Sequence, residues 1–99
     1  MVKIVWTELS ILDLREIFDF IAENSNRYAN ITVNKIYQRV QVIANNPFSG
    51  KIVAEFNEKS IRELIEGNYR IIYRIKNQLH VDILRVYLSS RLLKRTKIE

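Results

Sequence analysis

Asn-Tyr-Arg-Ile-Ile-Tyr-Arg-Ile-Lys, residues 68 to 76, is the stretch of sequence that decides the fold. Its odd-numbered positions from 69 to 75 hold large apolar side chains, whereas positions 70, 74 and 76 are basic and only Ile72 interrupts them. A period of two is typical of a β-strand with one buried and one exposed face. The pattern therefore predicts a strand whose odd positions build the core and whose even positions form a basic face.

Two more strand-like runs lie on either side of this stretch. Ile61 to Glu66 precedes it across Gly67-Asn68, and Leu79 to Leu88 follows it across Asn77-Gln78. Both dipeptides suit the tight turns of β-hairpins. The second half of the chain therefore predicts a three-stranded antiparallel meander.

The chain begins with a predicted short strand and helix. Val2 to Trp6 is rich in β-branched residues, and Thr7 is a suitable N-cap for a helix from about Glu8 to Glu23. Residues at spacings of three and four give this helix an apolar face and a polar face. The inward set is Ile11, Leu14, Ile17, Phe18 and Ile21, and the outward set is Asp13, Arg15, Glu16, Asp19 and Glu23.

A second helix is predicted between the polar break Asn24-Ser25-Asn26 and the segment Asn45-Asn46-Pro47. Its apolar face carries Ala29, Val33, Ile36, Tyr37, Val40 and Ile43. Because the break is short, the two helices are expected to form an antiparallel hairpin.

These elements predict an α+β fold in one domain over residues 1–99, with a short N-terminal strand and the helix hairpin packed on the C-terminal meander. Residues 48–51 predict a turn, and residues 52–56 a short extended piece within the following loop. The basic segment from Ser89 to Glu99 is predicted to be a short helix or a flexible arm.

Composition excludes several classes of protein. The chain has no cysteine, and its one histidine, His80, lies beside a predicted turn, so neither a metal site nor histidine-centred catalysis is expected. No apolar run reaches the roughly 18 to 20 residues of a membrane span, which indicates a soluble, cytosolic protein. Residues 1–49 hold five basic and five acidic side chains, whereas residues 50–99 hold eleven and six. This excess predicts a polyanionic partner, either nucleic acid or an acidic protein segment.

The hairpin registers decide which side chains share a face. A two-residue turn at Asn77-Gln78 would place Arg70 opposite Arg85 and Ile71 beside Leu84. In the first hairpin, a one-residue change in loop length turns residues 61–66 to the opposite face. A two-residue loop would put Arg62 on the core side, so polarity favours a three-residue loop. The resulting basic face carries Arg62, Arg70, Arg74, Arg85 and Tyr87.

Two interpretations of this basic face remain open. In one, the arginines at positions 62, 70 and 74 form ion pairs with Glu55, Glu63 or Glu66. In the other they recognise phosphate, because the planar guanidinium binds a phosphate through two hydrogen bonds and stays protonated. Tyr87 adds a ring that can stack on a base and a hydroxyl that can donate a proton.

Three motifs carry a family resemblance: Ile61-Arg62-Glu63-Leu64, Gly67-Asn68-Tyr69-Arg70-Ile71-Ile72-Tyr73 and Ile83-Leu84-Arg85-Val86-Tyr87-Leu88-Ser89-Ser90-Arg91. Together with the order strand, helix hairpin and meander, they resemble the RelE/ParE superfamily, the toxins of type II toxin-antitoxin modules. Trp6, Asp13-Leu14 with Ile17, and Asn46-Pro47 with Gly50 are similar to the ParE-like branch.

The resemblance implies a cytoplasmic, growth-arresting toxin that a cognate antitoxin protein binds and keeps inactive. ParE-like members block DNA gyrase, whereas RelE-like members are endoribonucleases that cut messenger RNA on the ribosome. For the second activity the implied catalytic residues are Arg62, Arg70, Tyr87 and Arg91. The residues expected to bind the target are Lys51, Arg74, Arg85, Lys94 and Arg95. No cofactor, metal or membrane partner is implied.

Leu88 departs from the pattern of the superfamily, since many relatives have a histidine at this position. RNA cleavage through the 2′-hydroxyl requires proton transfer at the attacking and the leaving oxygen, which leucine cannot perform. Lys51, Tyr87 or Glu63 are possible substitutes, and spacing selects none of them. We therefore expect a plasmid-stabilising block of gyrase and replication in preference to mRNA cleavage. A non-toxic relative that binds nucleic acid or sequesters an antitoxin is a third alternative.

Overall fold

In the computed structural model, which describes residues 1–90, the segment quoted above forms strand β4 (Tyr69–Ile75) at the centre of a five-stranded sheet. The other strands are β1 (Lys3–Trp6), β2 (Lys51–Ile52), β3 (Ile61–Glu66) and β5 (His80–Leu88). Their order across the sheet is β1-β5-β4-β3-β2, with β1 parallel to β5 and the other neighbours antiparallel. The predicted meander is confirmed as β3-β4-β5, the predicted N-terminal strand is β1 at one edge of it, and the short strand β2 lies at the other edge.

Helices α1 (Glu8–Ala22) and α2 (Asn26–Asn45) form the predicted hairpin. Each begins at an N-cap whose hydroxyl oxygen accepts a backbone N–H, Thr7 from Ser10 at 3.2 Å and Ser25 from Tyr28 at 3.0 Å. Such a cap stabilises a helix by about 1 kcal/mol. Helix α2 packs on the sheet, and α1 packs against α2 and along β5.

Apolar side chains are buried on both faces of the sheet. The larger cluster lies on the helix side and includes Ile36, Val40, Ile43, Leu64, Ile71, Tyr73, Val81, Ile83 and Val86. The smaller cluster lies on the opposite face and contains Val53, Ile61, Ile72, Leu84 and Tyr87, with the half-buried Phe56 packed against it. The odd positions of β4 therefore build the helix-side core as predicted, and Ile72 belongs to a second core.

Residues 53–57, here called the covering turn, supply Val53 and Phe56 to this second core. The backbone N–H groups of Phe56 and Asn57 donate to the Val53 carbonyl at 3.1 and 2.9 Å, and Asn57 has a φ of 52°. Asparagine tolerates this left-handed conformation better than most residues. The predicted extended piece at residues 52–56 is therefore wrong, because only β2 is extended and the chain then turns over the sheet.

The first hairpin has a two-residue loop, so the prediction of a three-residue loop is wrong. Glu66 pairs with Tyr69 and Arg62 pairs with Tyr73, and Gly67 has the positive φ, 57°, that such turns favour. Arg62 consequently lies on the helix side of the sheet, away from Arg70. The polarity argument failed because Arg62 is near the sheet edge, where its guanidinium reaches the carbonyls of Lys59 at 3.0 Å and Gly50 at 3.1 Å.

The predicted register of the second hairpin is also wrong. Asn77 Oδ1 accepts the N–H groups of Leu79 and His80, which lengthens the loop by one residue and pairs Ile75 with Val81. A β-bulge then adds a second residue, so that the partners of Tyr73 and Ile72 are Ile83 and Arg85. Arg70 therefore lies opposite Tyr87 instead of Arg85, and Ile71 lies beside Val86 instead of Leu84.

The buried side chain of Tyr73 fixes the loop that precedes β2. Its hydroxyl donates to the Pro47 carbonyl at 2.7 Å and accepts the Gly50 N–H at 2.9 Å, and burial raises the pKa of Tyr73. A Cβ atom at Gly50 would lie 2.5 Å from Tyr73 Oη and 2.6 Å from the Glu63 carbonyl oxygen. The close approach of β4 to this loop therefore requires glycine at position 50.

We predict that Gly50→Ala lowers the free energy of unfolding by about 1–3 kcal/mol, because the added methyl group overpacks a site that cannot expand. Urea unfolding followed by circular dichroism measures the change. Gln41→Ala, at an exposed position of α2, is the control and should stay within about 0.5 kcal/mol of the native chain. Equal stability of the two variants would show that the loop can move away from Tyr73.

Candidate functional site

The edge of β5 beyond β1 is hydrogen-bonded by side chains at the start of α1. Pairing between β1 and β5 ends at Ile83, and the Thr7 hydroxyl donates to the Ile83 carbonyl at 2.7 Å. Further along, Asp13 Oδ2 accepts the backbone N–H of Val86 at 2.9 Å. Buried backbone groups without a partner are costly, and these two side chains replace a neighbouring strand.

Asp13 also holds the side chain of Arg85 in a bidentate ion pair. Arg85 Nε lies 2.8 Å from Asp13 Oδ2, and Arg85 Nη2 lies 2.9 Å from Oδ1. The hydrogen bond to Asp13 raises the pKa of Arg85, and the Asp13 residue is only 7% exposed. The positive charge of Arg85, one of the arginines of the predicted basic face, is therefore neutralised by Asp13 of α1.

The prediction that Asp13 faces water is thus wrong. The inward face of α1 contains Ser10, Asp13, Leu14 and Ile17, whereas Ile11 is 47% exposed. A spacing of three and four residues that starts at Ser10 describes the observed inward face, and the same spacing that starts at Ile11 describes the predicted one. Spacing alone therefore does not distinguish the two faces. The sequence does not identify Asp13 as buried, because its partner Arg85 is 72 residues away along the chain.

Arg70 lies between two carboxylates on the face of the sheet opposite the helices. Its Nε donates to Glu63 Oε2 at 2.7 Å, and its Nη1 and Nη2 donate to Glu55 at 2.8 and 3.0 Å. The hydrogen bond to Glu55 is the main cause that raises the pKa of Arg70. The side chains of Arg70 and Glu63 are only 8% and 7% exposed, so this is a buried ion cluster. Of the two interpretations of the basic face, the structure therefore shows the ion pairs for Arg70, with Glu55 and Glu63 as its partners.

Tyr87 lies between the two paired arginines. It is opposite Arg70 in the register of β4 and β5, and the guanidinium carbon of Arg85 lies 4.6 Å from the centre of its ring. A cation over an aromatic ring is stabilised by the negative charge of the ring face. Since Tyr87 is only 5% exposed, its ring is part of the packing of this face.

The other predicted site residues lie at different places. Arg62 packs its guanidinium over the Phe48 ring, 5.0 Å from the ring centre, at the edge of the sheet. Lys51 is 73% exposed and lies 3.7 Å from Glu63, and Arg74 is opposite Asp82 on the face that carries Arg70. The structure therefore brings Lys51, Arg70, Arg74 and Tyr87 to one face, places Arg85 at the adjoining edge of β5 and separates Arg62 from all of them. Arg91, Lys94, Arg95 and the predicted C-terminal arm lie outside the described residues.

Leu88 lines an open cleft of about 280 Å³ between β5 and α1. The side chains of Leu88 and Phe20 are 54% and 73% exposed, and they give the cleft an apolar wall. Tyr69 also lines the cleft, and burial raises the pKa of this tyrosine. The position at which many relatives have a histidine is therefore an exposed apolar position here.

Among residues 1–90, no group of three or more histidine, cysteine, aspartate or glutamate side chains is placed to hold a metal ion. Within the same part of the chain, neither helix has the length and hydrophobicity required to cross a membrane.

The family model described as ParE toxin of type II toxin-antitoxin system, parDE, matches residues 4–93 of the chain. A solved structure of the chromosomal ParDE toxin-antitoxin system from P. aeruginosa superposes with a TM-score of 0.72 at 21% identity, covering 89% of this chain and 96% of that chain. The toxin-antitoxin complex RelBE2 from Mycobacterium tuberculosis superposes with a TM-score of 0.57 at 21% identity, covering 88% of this chain and 96% of that chain. A YoeB/ParE toxin from Agrobacterium tumefaciens superposes with a TM-score of 0.60 at 19% identity, covering 88% of this chain and 98% of that chain. These structures share the fold, and no curated protein sequence matches the chain.

We predict that Asp13→Ala destabilises the chain by about 3–5 kcal/mol, because it leaves the Arg85 charge and the Val86 N–H without their shared partner. Chemical unfolding measures this change. Asp19→Ala removes the same side chain from an exposed position of the same helix and should have little effect. A small effect of Asp13→Ala would mean that water replaces the carboxylate and that the ion pair does not hold α1 on β5.

A second prediction concerns Arg70→Ala, which removes the cation between Glu55 and Glu63. We expect a loss of about 3–5 kcal/mol in the free energy of unfolding, since a buried carboxylate then lacks its main partner. Arg27→Ala, at an exposed position of α2, is the control. If both variants unfold at the same denaturant concentration, the ion cluster does not contribute to stability.

Proposed function

The chain belongs to the ParE toxin family of type II toxin-antitoxin systems, and from this premise we propose that it arrests growth by blocking DNA gyrase. In the same proposal the protein works in the cytoplasm, and a cognate antitoxin binds it and keeps it inactive. The observation that favours gyrase over messenger RNA as the target is the enclosure of Arg70 between Glu55 and Glu63.

Cleavage of RNA requires a cation that faces the scissile phosphate and stabilises the charge of the transition state. The terminal nitrogens of Arg70 already bind the Glu55 carboxylate, and the Arg85 guanidinium binds Asp13. A phosphate would have to displace a carboxylate from either arginine before catalysis. Such an arrangement supports a structural role for these arginines in the native chain.

The end of β5 supports the same preference. Leu88 has no group that can accept or donate a proton, and the neighbouring Tyr87 is buried against the second core. Proton transfer to or from a reacting group by a positioned side chain typically contributes about 10²- to 10⁴-fold to the rate. A leucine at this position therefore removes much of the advantage of an RNA-cleaving site.

Two of the structural relatives, a ParDE toxin-antitoxin system and a RelBE2 toxin-antitoxin complex, support an antitoxin partner for this chain. The charge of the chain is compatible with an acidic partner segment, because the formal net charge is +5. The binding of such a segment is expected to weaken as the salt concentration rises.

The purified chain is expected to inhibit supercoiling by DNA gyrase and to accumulate cleaved plasmid, and its expression is expected to induce the SOS response. Its antitoxin should abolish these effects. The assay for the alternative target incubates the purified chain with a reporter messenger RNA bound to ribosomes. This RNA should remain intact. Cut transcripts with unaffected gyrase would instead favour an mRNA interferase, and unimpaired growth would favour a non-toxic relative.

Leu88→His tests whether leucine alone prevents RNA cleavage. We predict that this variant leaves the reporter RNA intact, because Arg70 remains bound to both carboxylates. Leu79→His is the control, since it places a histidine at a 67% exposed position in the loop that precedes β5, far from Leu88 along the strand. RNA cleavage by Leu88→His and not by Leu79→His would show that the nuclease machinery is otherwise complete, and it would contradict the argument from Arg70.

A further inference from the structure

Strand β1 lies at one edge of the sheet, and no other strand of residues 1–90 pairs with its outer side. Its hydrogen bonds to the sheet come from alternate positions. The N–H groups of Lys3 and Thr7 donate to carbonyls in and just before β5, at 2.7 and 3.2 Å. In a parallel pair the intervening residues direct their N–H and C=O groups to the opposite side. Ile4 and Trp6 therefore present two donors and two acceptors along the outer side of β1.

Apolar side chains border this edge on both faces of the sheet. Ile4 and Trp6 pack on the helix-side core, so the exposed Val5 between them lies on the opposite face. On the helix side, the Trp6 ring stacks on the exposed Tyr37 of α2, with 6.1 Å between the ring centres. A bare strand edge with apolar neighbours is a template for pairing with another chain.

Strand β1 is complementary to itself in one antiparallel register. If Val5 lies opposite Val5 of a second copy, Ile4 of each chain lies opposite Trp6 of the other. All the outward backbone groups of Ile4 and Trp6 then pair, because both positions fall in hydrogen-bonded pairs of the antiparallel ladder. A register shift of one residue would leave none of these groups paired. The arrangement has two-fold symmetry, as the interfaces of most homodimers do.

The charges at the two ends of β1 favour this antiparallel arrangement over a parallel one. Lys3 is an exposed cation at the start of the strand, and Glu8 is an exposed anion in the first turn of α1, just after its end. In the antiparallel register Lys3 lies opposite Thr7 of the second copy and next to its Glu8, and the symmetry repeats this pair. A parallel arrangement would place like charges side by side. Opposite charges across neighbouring strands stabilise pairing and select its register.

We propose that the outer edge of β1 is a self-association surface, through which two copies of the chain join their five-stranded sheets into one continuous sheet. The two-fold axis stands perpendicular to the sheet at Val5. The helices of both copies consequently lie on one side of the joined sheet, and the faces that carry Arg70 lie on the other. The proposal does not depend on the identity of the cellular target.

The chain has no cysteine, so a single introduced cysteine tests the register directly. Val5→Cys would place two sulfurs at the two-fold axis in a non-hydrogen-bonded pair, whose Cα atoms are about 4.5 Å apart, a distance that a disulfide spans. Ile65→Cys is the matched control, because Ile65 is 42% exposed, Val5 is 37% exposed and both lie on the face opposite the helices. After mild oxidation at micromolar concentration, Val5→Cys should give at least about tenfold more cross-linked dimer than Ile65→Cys on a non-reducing gel.

A charge exchange tests the same interface without a covalent bond. Sedimentation equilibrium of the native chain should give a mass near twice the 11.8 kDa of one chain. Lys3→Glu should weaken the dimer about tenfold or more, because two like-charge pairs replace two ion pairs. Lys35→Glu changes the net charge equally at an exposed position of α2 and should have little effect. Adding Glu8→Lys to Lys3→Glu restores opposite charges and should recover most of the lost affinity.

Three results would overturn the proposal: a native chain that sediments as a monomer at the concentrations of the cross-linking experiment, equal cross-linking by the two cysteine variants, or a dimer that Lys3→Glu weakens no more than Lys35→Glu does. The first result would leave the edge of β1 to a strand of another protein. Circular dichroism establishes that each variant is folded, and the charge exchange decides if Val5→Cys does not fold. The gyrase assay is independent of these outcomes, since it measures the activity of the native chain.

Discussion

The β-bulge in β5, where Leu84 and Arg85 together face Ile72, determines which side chains meet on each face of the sheet. Before the bulge, Ile83 points into the helix-side core; after it, Val86 does so. The extra residue directs Arg85 to the edge of β5, where it meets Asp13 of α1. It also places Tyr87 opposite Arg70. The docking of the helix hairpin and the composition of the candidate site both follow from this one irregularity.

The charges on this face are largely satisfied within the fold. Asp13 binds Arg85, and Glu55 with Glu63 binds Arg70, so the buried Arg70 and the half-buried Arg85 both contribute to the tertiary structure. Truncating one partner of a buried ion pair is far more costly than truncating an exposed one. A shared fold therefore does not by itself imply a particular chemistry, because activity depends on which groups are presented to the substrate.

The sequence predicts the elements well because periodicity is a local property. Strands β3 and β4, both helices and the N-cap Thr7 follow from residue spacing alone. The strand registers do not follow from spacing, because they depend on a side-chain hydrogen bond at Asn77 and on the bulge in β5. Polarity does not reveal the bulge either, since Leu84 and Val86 are equally apolar candidates for the core. Within the site, the shared face of Arg70 and Tyr87 is predictable. The place of Arg62 and the burial of Asp13 are not, because their partners lie far away in the sequence.

Arg70 is held inside the native fold by Glu63 and Glu55, and the interpretation of the whole face depends on this enclosure. Hydrogen exchange of arginine side-chain Nε–H groups, followed by nuclear magnetic resonance on the native chain, measures this most directly. Slow exchange at Arg70, with fast exchange at the exposed Arg27, is the result that the structure predicts. Exchange at Arg70 as fast as at Arg27 would contradict it, because the guanidinium would then be open to solvent and available to a phosphate.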